Sequence, residues 1–273
     1  MSADQGVLFL QWALPKMGYR WPGFRKPRNQ VLKRIKSRLT ELGITGGYDE
    51  YRRYLEENAS EWKQLERLCY VTISKFFRDR KVWDYLRDNI LHNLMLETSS
   101  EPLHVWSIGC CNGEEPYSIA ILVEQLSEQI TSNREVSILA SDRTEEVLER
   151  AKRGRYPPGA LSELTESELM KYFQTIEAGE EQFKINQAPS RHVRFEKRNI
   201  QKSLPDGSFQ LIFCRNLLFT YYRKEHQEQF LKKLKPMLKP AGYLVIGSNE
   251  ELPDTDWLVQ VNRSQPIYQK KSD

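Results

Sequence analysis

Histidine and cysteine are scarce in this chain, with four of each among 273 residues. His92, His104, His192 and His226 form no H-E-x-x-H pair, and Cys69, Cys110, Cys111 and Cys214 form no C-x-x-C pair. A locally encoded zinc clip or redox dithiol is therefore excluded. The adjacent Cys110 and Cys111 are poor disulfide partners, because a bridge needs well-separated Cα atoms. Reduced structural thiols and no metal are the expectation. Long apolar runs are also missing: nothing approaches the ~20 residues of a membrane span. The run VLFLQWAL near the start is short and follows no basic stretch, so it does not read as a signal peptide. A cytoplasmic location without membrane insertion is expected. Acid is absent from one long stretch, Gln5 to Thr40, which carries nine bases: Lys16, Arg20, Arg25, Lys26, Arg28, Lys33, Arg34, Lys36 and Arg38. With a net charge of only +4, the rest of the chain must be mildly acidic. The asymmetry points to an anionic partner at the N-terminal end.

What is present fits an ordinary globular protein, at 39% hydrophobic and 29% charged residues. The length suits one catalytic domain with a smaller appendage. From Pro27 to about Leu96 the pattern is helical, with Val31, Leu32, Ile35 and Leu39 at three- and four-residue steps. YDEYRRYLEEN, SEWKQLERLCYVTI (with Ser60 as cap) and FFRDRKVWDYLRDNILHNLM continue it. From Leu103 short β-rich runs alternate with helical ones: LHVWSIG, EEPYSIAILVEQL, VSILASD, DRTEEVLERAKRG, HVRFEKRNI, FQLIFCRNLLF, KEHQEQFLKKLKPML and AGYLVIGS. That alternation predicts an α/β fold, a doubly wound and mostly parallel sheet. The expected organisation is a helical domain over 1–98 and an α/β domain over 99–273. The segment 156–191 fits no βαβ unit and reads as an inserted subdomain or lid.

WSIGCCNGEEPYS, Trp106 to Ser118, occupies the first strand-to-helix turn, where open α/β sheets bind ligands. Gly109 and Gly113 let the backbone turn sharply and approach a ligand, but their spacing is not the G-x-G-x-x-G of a pyrophosphate site. Glu114 and Glu115 open the following helix, where they repel a phosphate and tolerate an ammonium or sulfonium. Asp142 ends the second strand, where a carboxylate can accept from both ribose hydroxyls. Together these favour S-adenosylmethionine over a pyrophosphate-bearing nucleotide. The plainer alternative is that the glutamates complement the helix dipole and Asp142 caps the next helix.

The stretch resembles the first motif of the CheR-type chemotaxis receptor methyltransferases, usually close to WSAGCSTGEEPYS. TISKFFRDR, ILASDRTEEVLERAKRGRY, VRFEKRNI, FQLIFCRNLLFTYY and LKPAGYLVIGSNE follow in that family's order. The resemblance implies a class I methyltransferase-like fold and S-adenosylmethionine-dependent O-methylation of glutamate side chains on a partner protein such as a chemoreceptor. It implies that Arg78 grips the cofactor carboxylate, with Thr72 and Ser74 beside it. Glu115, or else Glu114, would meet the methionine ammonium, Asp142 the ribose, and Asn199 and Ile200 the adenine. Arg215 and Asn216 would close the site near the reacting methyl, Arg215 orienting the incoming carboxylate.

The chain departs from the family at several positions. Thr220 stands where the family has tyrosine, with Tyr221 and Tyr222 just after, which makes Tyr221 a catalytic candidate. Arg143 and Thr144 replace Ile-Asp, and GSNE replaces GHSE at Gly247 to Glu250. TIEAGEEQFKINQ lacks the glycine-rich loop associated with docking a receptor tether. The expected partner is accordingly an acidic helical protein surface met by the basic N-terminal helices. Two other readings keep the cofactor: an RNA methyltransferase gripping phosphates with its basic domain, and a non-catalytic regulatory module. Few aromatics accompany the basic stretch (Tyr19, Trp21, Phe24) and no N-P-P-Y-like or Pro-Cys motif occurs, so nucleic acid is not an expected partner.

Overall fold

The computed structural model of the chain describes residues 3–97, 101–130, 134–178 and 180–271. Helices Ala3–Lys16, Trp21–Phe24, Arg28–Glu41, Gly47–Glu57 and Ala59–Leu68 come first. Helix Arg80–Leu86 then runs through a π-helical turn, Arg87–Leu91, into His92–Leu96. Among the described residues ten strands follow: β1 (Leu103–Ile108), β2 (Val136–Asp142), β3 (Arg155–Tyr156), β4 (Phe173–Ala178), β5 (Glu180–Ile185), β6 (Val193–Lys197), β7 (Phe209–Cys214), β8 (Leu238–Ile246), β9 (Leu258–Gln260) and β10 (Ile267–Lys270). No helix among them is long and apolar enough to cross a membrane.

The chain divides into two compact units, Met1–Thr72 with Leu217–Gln229, and Ile73–Asn216 with Phe230–Asp273. The expected boundary at 98 and 99 falls outside the described residues. Helices Arg80–Leu86 and His92–Leu96, read from sequence with the N-terminal helices, belong to the second unit. Their apolar residues Val82, Trp83, Leu86, Leu91 and Leu94 share one hydrophobic cluster with Leu103, Val105 and Phe213. Periodicity identifies a helix's apolar face, but not the surface that will cover it.

In the first unit, helix Arg28–Glu41 buries Val31, Leu32, Ile35 and Leu39, the stripe expected of an amphipathic helix. Helix Ala3–Lys16, which the sequence reading left unassigned, supplies Phe9, whose ring stacks on Tyr48 and Tyr51 at 5.2 and 5.5 Å. Ser60 is no cap, because its helix starts at Ala59 and has no side-chain cap bond. Glu61 in that helix is 5% exposed. Arg38 grips it with both prongs at 2.8 and 3.0 Å, and the Tyr51 hydroxyl donates at 2.9 Å.

In the second unit the main sheet runs β6-β2-β1-β7-β8-β10-β9. Neighbours from β6 to β8 are parallel, and β10 is antiparallel to both β8 and β9. The doubly wound, mostly parallel α/β fold is thus the one observed. β1 and β7 are buried almost throughout, as central strands covered on both faces must be. The expected insertion contains a separate antiparallel sheet, β3-β5-β4, preceded in β4's case by helix Glu166–Tyr172. A full capping box between Thr165 and Glu168 opens that helix. Gly179, at the β4–β5 turn where the tether-docking loop was judged missing, lies outside the described residues.

Pairing with Arg38 and Tyr51 holds the Glu61 carboxyl below its ordinary range. Its contribution to stability is therefore present above the unfolded-state value of about 4.3 and lost as pH falls through the lower folded value. Glu61→Gln is expected to cost about 1–3 kcal/mol at neutral pH. The deficit relative to the parent should shrink in urea titrations below about pH 4.

Candidate cofactor and active site

The β1 turn is held shut by the end of β2. Gly109 N and Cys110 N both donate to the Ser141 carbonyl, at 2.8 and 3.0 Å. Cys111 N donates to Asp142 Oδ2 at 3.2 Å, and Thr144 N to Asp142 Oδ1 at 3.0 Å. The Trp106 indole reaches across from β1 to the Ser141 hydroxyl at 2.9 Å. Gly109, Cys111 and Gly113 all take positive φ, at 70°, 50° and 93°. A Cβ on Gly113 would lie 3.0 Å from the Ala151 Cβ and from the Tyr156 hydroxyl. Its role is thus to dock the helix closely, which corrects the expectation that this glycine opens room for a ligand. Asp142 satisfies part of the plainer reading too, since its carboxylate braces the turns that follow β1 and β2.

The two glutamates of the turn have different surroundings. Glu115 accepts from the Ser107 hydroxyl at 2.8 Å and lies 3.6 Å from Arg215. Glu114 is 3% exposed. Its Oε2 is buried without a partner. Burial pushes both carboxyls above the ordinary range, because an ion loses hydration there.

The turn preceding helix Arg80–Leu86 brings in the arginines. Phe77 and Asp79 adopt left-handed backbone, at φ 49° and 64°, an uncommon conformation for side chains of this size. Phe77 N donates to the Ser118 hydroxyl, which in turn donates to the Glu114 carbonyl. Arg78 donates to the Ile73 carbonyl at 3.2 Å and acts on Glu115 through its charge. Arg215, just beyond β7, is bound internally through one nitrogen, and its Nε is buried without a partner. One of its nitrogens donates to Asp79 at 2.9 Å and to the Arg78 carbonyl at 2.8 Å, and its guanidinium lies over Trp83 at 5.3 Å. With 3% of its side chain exposed, Arg215 is a brace between two acids. The expectation that it offers a fork to an incoming carboxylate is corrected accordingly.

Asn216 follows in the left-handed region at φ 53°. Its N–H donates to Glu250 Oε2 at 2.9 Å, and the same oxygen accepts from Gly247 N at 2.7 Å. A Cβ on Gly247 would lie 2.6 Å from Asn216 Nδ2, so the ends of β7 and β8 are clamped together. Asn199 and Ile200 lie just past β6. The Arg198 N–H donates to the Asp142 carbonyl at 2.7 Å, which brings their segment beside the ribose candidate. Asn199 uses its side-chain oxygen in a local turn with Gln201 N at 3.0 Å, and Ile200 is buried.

The second unit therefore contains Ser74, Arg78, Gly109, Glu114, Glu115, Asp142, Asn199, Ile200, Arg215 and Asn216 from the sequence-predicted set. Thr72 and Tyr221 belong to the first unit, Tyr221 on the short helix Leu218–Tyr221. The sequence reading missed Asp79, Ser107 and Glu250 as site residues. Asp79 gave one signal, an acid beside the basic FFR turn, and Glu250 gave another as the last residue of GSNE.

Residues 72–267 match the profile of the CheR methyltransferase, SAM binding domain. The chain belongs to the CheR methyltransferase family. It is 34% identical to a chemotaxis protein methyltransferase of Listeria innocua, covering 82% of this chain and 81% of that one. With the Escherichia coli protein of the same description the identity is 31%, covering 90% and 84%. Likeness to solved structures is slight, with a TM-score of 0.35 and 13% identity to the N-methyltransferase NodS of Bradyrhizobium japonicum over 72% of this chain and all of that one. The chain is accordingly a methyltransferase dependent on S-adenosylmethionine, and the RNA-directed and non-catalytic alternatives are not favoured. The residues present fit that cofactor. A buried carboxylate oxygen without a partner, among further acids at a helix start, suits a cation and repels a phosphate.

Glu250→Ala removes the acceptor of two backbone donors, at about 1–3 kcal/mol for each left unsatisfied in a buried place. It should lower Tm and weaken S-adenosylmethionine binding in calorimetry. Glu250→Gln, whose amide oxygen can accept both bonds, should recover most of each loss.

Proposed function

We propose that this enzyme transfers the methyl group to glutamate side chains of an acidic helical protein surface, such as the cytoplasmic part of a chemoreceptor. The observation that carries the reading is the buried, unpartnered Glu114 Oε2 at the start of helix Glu114–Gln129. It supports a site built for a cation, with Arg78 nearby to take the opposite charge. The resemblance of the motifs and the names of the relatives support the protein substrate. When bound, S-adenosylmethionine supplies a methyl group made electrophilic by the sulfonium.

The chain's own residues then have separate tasks. Glu114, with Glu115 braced beside it by Arg215 and Ser107, holds the ammonium, and Arg78 the carboxylate of the methionine part. Ser74 and Thr72 support that end. Asp142 accepts from the ribose, and Asn199 and Ile200 line the base. Gly109 shapes the turn. Asn216 stands nearest the transfer in this reading, while Arg215 orients Asp79 and Glu115. A glutamate acceptor, with an ordinary pKa of about 4.3, is already a carboxylate at neutral pH. No general base is needed; the work is alignment and exclusion of water. The exposed bases Arg25, Lys26, Lys33 and Lys36 support contact between the first unit and an acidic surface.

Burial raises the folded-state pKa of Glu114 above its unfolded value, so at neutral pH its ionised form disfavours folding. Glu114→Gln should therefore raise the Tm of the free enzyme, an effect that vanishes as pH falls and the parent carboxyl protonates. The same change should weaken S-adenosylmethionine binding about 10- to 100-fold, as loss of a charge-assisted hydrogen bond does. Unchanged affinity would remove Glu114 from the cation site. With methyl-labelled cofactor and a chemoreceptor cytoplasmic fragment, the protein-bound label should be released by mild base as methanol. A base-stable label excludes the ester.

A further inference from the structure

The insertion that carries β3, β4 and β5 meets the β1 turn through one side chain. Tyr156, on β3, is 2% exposed, and its hydroxyl donates to the Asn112 carbonyl at 2.8 Å. Asn112 lies inside the turn, between Gly109 and Gly113, and the Arg150 Nε donates to its side chain at 2.9 Å. Burial, joined by the charge of Glu114, pushes the Tyr156 hydroxyl well above its ordinary pKa. The hydroxyl therefore keeps its proton and remains a donor.

The same ring meets the FFR turn. It packs edge-on against Phe76 at 4.8 Å, and Phe76 packs edge-on against Phe173 of β4 at 5.1 Å. The Phe76 N–H donates to the Ala160 carbonyl at 2.9 Å. A second tie is made by Glu168, which is 7% exposed. It accepts the fork of Arg80 at 2.8 and 2.9 Å and the amide of Gln125 at 3.1 Å. Arg80 follows Arg78 by two residues, and Gln125 lies on the helix that Glu114 opens. Both Tyr156 and Glu168 thus hold the same two elements, the one carrying Arg78 and the one carrying Glu114. These ties add to the links through Ser118 and Arg215 described above.

We infer that Tyr156 is a positioning residue for the cofactor, setting the turn that leads into Glu114 against the turn that carries Arg78. This rests on the reading that Glu114 takes the ammonium and Arg78 the carboxylate of the methionine part. Those two groups sit on one carbon of the ligand, so the protein charges that meet them must keep a fixed separation. A small shift of either turn spoils both contacts together. The nucleoside end does not share this dependence. Asp142 is held by the pairing of β2 with β1 and β6, and Asn199 and Ile200 follow β6.

The test uses the full chain and two ligands, S-adenosylmethionine and methylthioadenosine, which has the same nucleoside but neither ammonium nor carboxylate. Tyr156→Phe keeps the ring against Phe76 and removes the donor to Asn112. It should weaken S-adenosylmethionine binding about 5- to 20-fold in calorimetry, while the Kd for methylthioadenosine stays within twofold. Hydrogen exchange in the variant should accelerate across 109–115 and remain unchanged across 209–214. An unaltered Kd for S-adenosylmethionine overturns the inference, as does an equal loss for both ligands. A parent that binds methylthioadenosine as tightly as the whole cofactor removes the reading of Glu114 and Arg78 instead. In that case, or where methylthioadenosine does not bind the parent, hydrogen exchange decides alone, and unaltered exchange across 109–115 overturns the inference.

Discussion

The site depends on a single guanidinium held among carboxylates. Arg215 sits between Asp79 and Glu115, with the Arg78 carbonyl and the Trp83 ring completing its surroundings. Removing the cation would leave the Glu115 carboxylate, 13% exposed, without its counter-charge, the costly way to break a buried pair. The same contact joins three parts of the second unit: the FFR turn, the end of β7 and the first turn of helix Glu114–Gln129. The spacing of these three parts follows from that junction.

Around the junction the backbone is under tension. Phe77, Asp79, Cys111 and Asn216 are all non-glycine residues in the left-handed region, and each lies within two residues of Arg78, Gly109 or Arg215. Such conformations persist only where neighbours over-determine them. Here the neighbours are the Ser118 hydroxyl, the Arg215 grip, the Asp142 carboxylate and the Glu250 carboxylate. Two of the four are acids accepting backbone N–H groups at strand ends. The acids that give this region its electrostatic character therefore also give it its shape.

Much of this was legible in the sequence because it is local. β1, β2 and β7 announce themselves as β-branched and aromatic runs, and Gly109 to Glu115 can be read as a turn with acids at a helix start. What escaped was the set of long-range pairings. Nothing near Asp79 says that it will meet a residue more than a hundred positions away, and GSNE does not reveal that Glu250 will accept from Asn216. The short strands β9 and β10 escaped because three or four residues cannot display a period. Helix Ala3–Lys16 escaped because its run VLFLQWAL was weighed only as a membrane or leader segment, excluded as both, and given no element. Arg215 was read as an open fork because its residue type permits one, and only its partners decide otherwise.

The composition of the first unit also bears on how the chain is made. Leu217–Gln229 is part of that unit, so the helices that leave the ribosome first lack a piece of their own structure until most of the chain has followed. Tyr19, Arg20 and Gly23 wait for Tyr222, the carbonyls of Phe219 to Tyr221 and a close approach to Thr220, about two hundred residues later. Closing so long a loop costs conformational entropy before any contact repays it. An isolated N-terminal fragment would therefore lack the backbone partners of Tyr19 and Arg20, and the first unit is completed only after most of the chain has been made.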